Sequence, residues 1–224
     1  MALFDQIPGR TRIKICGLTQ PEQVDLAQQL AIDAIGLVFY QPSSRYISPV
    51  QAGILSNQYP HDLDTVALVV NATDQEILDI KKHCRVDIWQ FHGDETAQRC
   101  QDIAQGMPWM KAARIDEKFQ LDEFCLQYRD ANAWLLDAVI DGYGGGGQTF
   151  NWDMIDSLWV KENAHRVVLS GGLNVKNVGD AIAYFHPLAV DIASGVEVEK
   201  GLKDPYLMKA FVAQVRLFDQ PDKH

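Results

Sequence analysis

At 224 residues the chain can bury a substantial core without disulfides or metals, and it suits one α/β barrel or two small domains. Thirty acidic against twenty basic residues leave a formal charge of −10, which argues against a general nucleic-acid or anionic-membrane binder but allows a locally positive pocket. A hydrophobic share of 47% and a charged share of 22% are those of an ordinary globular protein.

The four cysteines, Cys16, Cys84, Cys100 and Cys125, make no CxxC pair and no zinc spacing, so no metal site is expected. Met1 to Gly9 lacks the basic start and apolar run of a signal peptide, and no stretch approaches the roughly 18 apolar residues of a membrane span. Scattered thiols in such a chain point to a reducing, cytoplasmic setting.

Strand-like and helix-like runs alternate from end to end. Arg12–Cys16 reads as a strand ending at a tight turn, Gly17-Leu18-Thr19. A helix near Pro21–Ala31 follows, with Thr19 and Glu22 in a capping-box pattern. The second strand is Ala34–Phe39, and Ser48-Pro49-Val50-Gln51 opens its helix with another capping box and a proline at the first helical position. Thr65–Val70 and a helix near Asp74–His83, capped by Thr73 and Glu76, form the third unit. Asp87–Phe91 and a helix from Asp94 or Glu95 form the fourth, and Trp109–Ala113 with a helix near Leu121–Tyr128 the fifth. Strand six, Ala133–Asp137, is separated by a glycine-rich loop from a helix near Trp152–Val160. Arg166–Ser170 leads to a helix from Asn174, and Ala189–Ile192 to a last helix opened by Asp204-Pro205.

Eight short apolar strands, each followed by a helix, predict a single (β/α)8 barrel domain over residues 1–224, its core about 11–218. An open doubly wound sheet is the competing architecture, disfavoured because no Gly-x-Gly-x-x-Gly turn follows the first strand. In a barrel the chemistry sits at the C-terminal strand ends.

Cys16 ends strand one, where a thiol serves either as a base or as a small buried apolar group. Asp137 ends strand six, where a carboxylate is costly unless paired or functional, though an Asp there can also cap the following loop. Arg45 lies in the long loop after strand two, and a guanidinium recognises a carboxylate by a planar bidentate fit. His92 ends strand four and suits either substrate orientation or a plain polar rim. Ser170-Gly171-Gly172 and Ser194-Gly195 follow strands seven and eight, the loops that bind phosphate in many barrels. Gly144-Gly145-Gly146-Gly147 lets backbone amides approach a ligand unobstructed, although a plain connector has the same composition.

Seven stretches in order carry a resemblance. They are Lys14-Ile15-Cys16-Gly17-Leu18-Thr19, Phe39-Tyr40 with Ser44 to Ser48, Gln90 to Gly93, Leu135 to Asp137, Tyr143 to Phe150, Leu169 to Leu173 and Asp191 to Glu197. Together they resemble the phosphoribosylanthranilate isomerases of tryptophan biosynthesis. The resemblance implies an Amadori rearrangement of N-(5-phosphoribosyl)anthranilate to the 1-amino-1-deoxyribulose 5-phosphate product, with no cofactor. It further implies Asp137 as general acid, Cys16 as general base and Arg45 on the anthranilate carboxylate. Phosphate would be held by amides of Gly171, Gly172, Ser194 and Gly195, assisted by the loop with Gly144 and Gly145. The expected partner is a phosphorylated aminosugar, neither nucleic acid nor membrane, acted on by a monomer or homodimer. The chain departs from the family pattern at Gln148, where Lys is common, and at Asn151, Ala138 and Phe91. A histidine-pathway isomerase with two catalytic aspartates and two matching half-barrels is the nearest alternative, disfavoured by Cys16 and by a first half without a Gly-Gly phosphate turn. A non-catalytic phosphate-ligand barrel is the other.

Overall fold

The computed structural model describes residues 3–7, 9–57, 62–138, 155 and 157–219. The strands are β1 (Arg12–Cys16), β2 (Ala34–Val38), β3 (Asp64–Val69), β4 (Ile88–Phe91), β5 (Trp109–Ile115), β6 (Ala133–Ala138), β7 (Val167–Leu169) and β8 (Ala189–Ile192). Between and after them run α1 (Pro21–Gln29), α2 (Pro49–Asn57), α3 (Asp74–His83), α4 (Ala97–Ala104), α5 (Leu121–Gln127), α6 (Ser157–Asn163), α7 (Val178–Phe185) and α8 (Pro205–Phe218). A small antiparallel pair, β9 (Glu197–Glu199) and β10 (Leu202–Lys203), sits between β8 and α8. The eight barrel strands pair in parallel in chain order, and β8 returns to β1, from Arg12 beside Ala189 to Ile15 beside Ile192. That last pairing closes the barrel and excludes the open sheet.

Strand alternation sorts the side chains. On β1, Ile13 and Ile15 join the apolar layer shared with Val24 and Ala27 of α1, while Cys16 packs with Val38 and Leu68 in a separate inner cluster. Ala34, Val66, Ile88, Met110, Ala133 and Ala189 fill the lower barrel, and Leu3 plugs its N-terminal end. The outer layer is anchored by Trp89, fully buried and stacked near Phe91. Truncating so large a side chain in a close-packed layer costs about 3–5 kcal/mol.

The N-terminal end is tied by Asp33, which accepts from Arg12 Nη1 at 2.7 Å, the Ile13 amide at 2.9 Å and Arg10 Nη2 at 3.0 Å. This end holds the barrel together; the opposite end carries the loops with Cys16 and Asp137.

Three helix starts differ from the sequence expectation. The first capping box uses Gln20 and Gln23, with Gln23 Oε1 accepting from the Thr19 and Gln20 amides, in place of Thr19 and Glu22. Helix α4 starts at Ala97 behind the Thr96 cap, because the Glu95 carboxylate is committed to the amides of Asn71 and Gly93 and to Lys111. Helix α7 starts at Val178, because Asn174 and Asn177 fold the preceding residues into side-chain-bonded turns. The Ser48–Gln51, Thr73–Glu76 and Asp204 caps form as expected.

Candidate active site

Cys16 and Asp137 face one mouth at the C-terminal end of the barrel, together with Arg45, His92, Gly171, Gly172 and Ser194. The mouth holds about 820 Å³ of empty space when its solvent opening is included, and polar and apolar side chains line it together. Gly144 and Gly145 lie outside the described residues, as do Gln148 and Asn151.

The Cys16 sulfur owes its position to two glycines. Gly36 pairs with Cys16 in the β1–β2 register, and a Cβ there would lie 2.7 Å from Cys16 Sγ. Gly17 has φ +79°, and a Cβ on it would strike the Arg45 stem at 2.5 Å. So the turn after β1 brings Arg45 across the top of Cys16 only because Gly17 has no side chain.

Beneath the sulfur lies Lys14, two residues back on the same strand face. Its side chain is wholly buried and its Nζ meets Asp191 Oδ1 of β8 at 2.8 Å. Burial pulls Lys14 down, but Asp191 and the nearby Cys16 outweigh it and hold the ammonium above its usual value. For Cys16 the balance runs the other way. Burial pushes the thiol up and Asp191 adds to this, while Lys14, through charge and hydrogen bond, and Lys203 oppose without prevailing. Cys16 is therefore held above its ordinary thiol value, and the cations beneath and beside it pull the other way.

Arg45 is held by a carboxylate before any ligand arrives. Its Nε and Nη2 each donate to Glu197 at 2.7 Å, a bidentate fork. Glu197 also accepts from Lys203 Nζ at 2.6 Å, and Lys203 donates to the Ala193 carbonyl at 3.0 Å. Burial pushes Glu197 up, but the Arg45 hydrogen bond and the Lys203 charge more than reverse this and hold it below the usual carboxylate range. Burial also pulls Lys203 down, against the attraction of Glu197. The fork fixes the guanidinium plane and leaves Nη1 without an acceptor among the described residues.

Asp137 does not stand alone. Its Oδ2 lies 3.3 Å from His92 Nε2, and Gln90 Nε2 lies 3.1 Å from His92 Nδ1. Arg114 donates to the His92 carbonyl at 3.2 Å, while Glu95 and Lys111 fasten the adjoining Gly93. His92 is thus the partner of Asp137, a role that sequence position alone did not separate from a polar rim.

The two small-residue turns converge. Gly171 and Gly172 both have positive φ, 79° and 68°, which side chains rarely adopt. The Gly172 carbonyl accepts from the Asn174 and Asn177 side-chain amides at 3.2 and 3.0 Å, and the Gly171 and Gly172 amides meet no acceptor among the described residues. A Cβ on Gly195 would lie 2.0 Å from the Leu173 carbonyl, so the β7 and β8 turns touch. Since α7 begins only at Val178, the short helical turn beside this pair is Ser194–Val196.

Sequence reading missed Lys14, Asp191, Glu197 and Lys203 as site components, and it placed Gln90 at the catalytic strand ends without giving it a role. Lys14 carried a usable signal, two residues before Cys16 on an alternating strand.

The same barrel recurs in known proteins. Residues 13–214 match the model of the family described as N-(5'phosphoribosyl)anthranilate (PRA) isomerase. The N-(5'-phosphoribosyl)anthranilate isomerase of Ralstonia nicotianae is 44% identical over 217 residues, 94% of each chain. That of Dechloromonas aromatica is 46% identical over 211 residues, 94% of this chain and 99% of the relative. The phosphoribosyl anthranilate isomerase of Thermotoga maritima superposes with a TM-score of 0.81 at 37% identity, covering 92% of this chain and 98% of that one. A phosphoribosyl anthranilate isomerase solved in complex with reduced 1-(o-carboxyphenylamino)-1-deoxyribulose 5-phosphate gives a TM-score of 0.78 at 35% identity, with the same coverage. With matches of this extent along nearly its whole length, the chain belongs to the N-(5'-phosphoribosyl)anthranilate isomerase family.

Proposed function

We propose that the chain isomerises N-(5'-phosphoribosyl)anthranilate in the cytoplasm, with Asp137 as general acid and Cys16 as general base. One observation carries the assignment of roles: a carboxyl and a thiol from β6 and β1 line the same mouth, with a carboxylate receptor and two glycine turns around them.

Asp137 protonates the furanose ring oxygen, and the ring opens to an iminium. The cation acidifies the adjacent C2–H, and Cys16 removes that proton to give an enolamine, which tautomerises to the ketone. The iminium also favours the thiolate electrostatically, so the base strengthens when it is needed. Arg45, its plane fixed by Glu197, takes the anthranilate carboxylate, and the amides of Gly171, Gly172, Ser194 and Gly195 take the phosphate. The loop with Gly144 and Gly145 adds to the phosphate end.

The test is turnover of N-(5'-phosphoribosyl)anthranilate by purified protein, with complementation of a tryptophan auxotroph lacking this isomerase. Each positioned acid or base typically contributes about 10²–10⁴-fold. Cys16→Ala and Asp137→Asn are each expected to lose at least that order, and near-normal turnover in either variant removes that residue from its role. Faster conversion of the histidine-pathway aminoaldose, or phosphate-ligand binding without turnover, overturns the reaction assignment.

A further inference from the structure

Gln90 is the inward residue of β4 just below His92. It is fully buried yet lines the mouth. Its Nε2 lies 3.1 Å from His92 Nδ1, while its Oε1 is buried with no donor among the described residues. Buried side-chain oxygens are rarely left bare, and those that are mark places where a ligand or a strained state completes the bonding. A neutral imidazole that accepts at Nδ1 carries its proton at Nε2, the nitrogen 3.3 Å from Asp137 Oδ2.

We propose that Gln90 is a positioning residue with two ends: its amide N–H holds His92 as the Nε2–H tautomer that donates to Asp137, and its Oε1 accepts a hydroxyl of the substrate's ribose chain. The inference deepens the isomerase reading and rests on it for the hydroxyl. When Asp137 gives up its proton, the His92 N–H stands ready to receive the new carboxylate charge, and the acid keeps its orientation between turnovers. The hydroxyl that meets Oε1 fixes the sugar against the same amide, so acid and substrate are registered by one side chain. An analogue without that hydroxyl would leave Oε1 bare.

Two substitutions separate the two ends. Gln90→Leu removes both. Gln90→Glu keeps an acceptor for the hydroxyl but presents carboxylate oxygen to His92 and draws its proton to Nδ1. In the wild-type protein, nitrogen-15 NMR of the ring is expected to show His92 protonated at Nε2 and not at Nδ1; Gln90→Leu gives a tautomer mixture. With folding checked by circular dichroism, Gln90→Leu is expected to lower kcat at least about tenfold and to raise KM, whereas Gln90→Glu lowers kcat with little change in KM. A wild-type His92 protonated at Nδ1 overturns the inference, even if neither variant folds. So does a folded Gln90→Leu protein with kcat and KM both within twofold of wild type. Failure of the wild-type protein to turn over the aminoaldose defeats the isomerase reading instead, and the NMR result still decides the His92 half.

Discussion

Lys14→Met tests whether the buried ion pair under Cys16 serves the thiolate. The substitution keeps the side-chain length and removes the charge. Lys14 hydrogen-bonds Cys16 and Asp191 and has no exposed surface. Opposite unit charges about 4 Å apart at an effective dielectric of about 20 interact by about 4 kcal/mol, close to 10³ in the thiolate population. Lys203 compensates in part, so a fall in kcat/KM of at least about 10² at neutral pH is expected, recovering as pH rises. Removing one partner of a buried pair also destabilises by about 3–5 kcal/mol. The companion Lys14→Met/Asp191→Asn protein has no uncompensated charge and should regain most of that stability while remaining at least about tenfold slower than wild type. Alkylation of Cys16 by iodoacetamide, followed by peptide mass spectrometry across pH, reads the thiolate directly. The single variant should need a more alkaline medium. The reasoning is refuted if either folded variant keeps wild-type kcat/KM within threefold and an unchanged alkylation profile.

Gly36→Ala should displace the base without touching its chemistry. The new Cβ meets Cys16 Sγ at 2.7 Å and its Cα at 3.0 Å, so about 1–3 kcal/mol of stability and at least about 10² in kcat/KM are expected to be lost, read by melting and steady-state kinetics. Arg45→Lys replaces a planar fork by a point charge, and a rise in KM of about tenfold or more with a smaller change in kcat is expected. Glu197 is held below its ordinary value, so its pairing stabilises the fold above about pH 4.5 and is lost as pH falls through the depressed folded value. Wild type should therefore exceed Glu197→Gln in denaturant midpoint at neutral pH, and the gap should narrow below pH 4; a gap that is constant with pH contradicts the pairing.

The barrel was legible because each strand's apolar run and each helix cap is a local signal. Cys16, Asp137 and His92 could be placed for the same reason: a strand end is visible in one dimension, and the fold brings those ends together. What stayed hidden was pairing. Lys14 and Asp191 are 177 positions apart, and Arg45 and Glu197 are 152 apart, so no local pattern links them. The misplaced start of α4 has the same origin. Glu95 has the composition of a first helical turn, but its carboxylate is claimed by Lys111 sixteen residues on. Local propensity gives way where a buried cation needs an anion.

Three cations at the mouth, Lys14, Arg45 and Lys203, share two carboxylates, Asp191 and Glu197, while Asp137, as the acid, brings its proton to the substrate. These five groups leave a surplus of about one positive charge, buried in the opening of a molecule that carries −10. An anionic sugar phosphate arriving from solution meets that small surplus, the amides and Arg45 only at short range. At longer range it meets the repulsion of the whole surface. Added salt shortens the Debye length to about 10 Å at 0.1 M and screens that repulsion. Capture of the substrate should then hold steady or quicken with ionic strength, the reverse of an enzyme that draws its ligand in by charge.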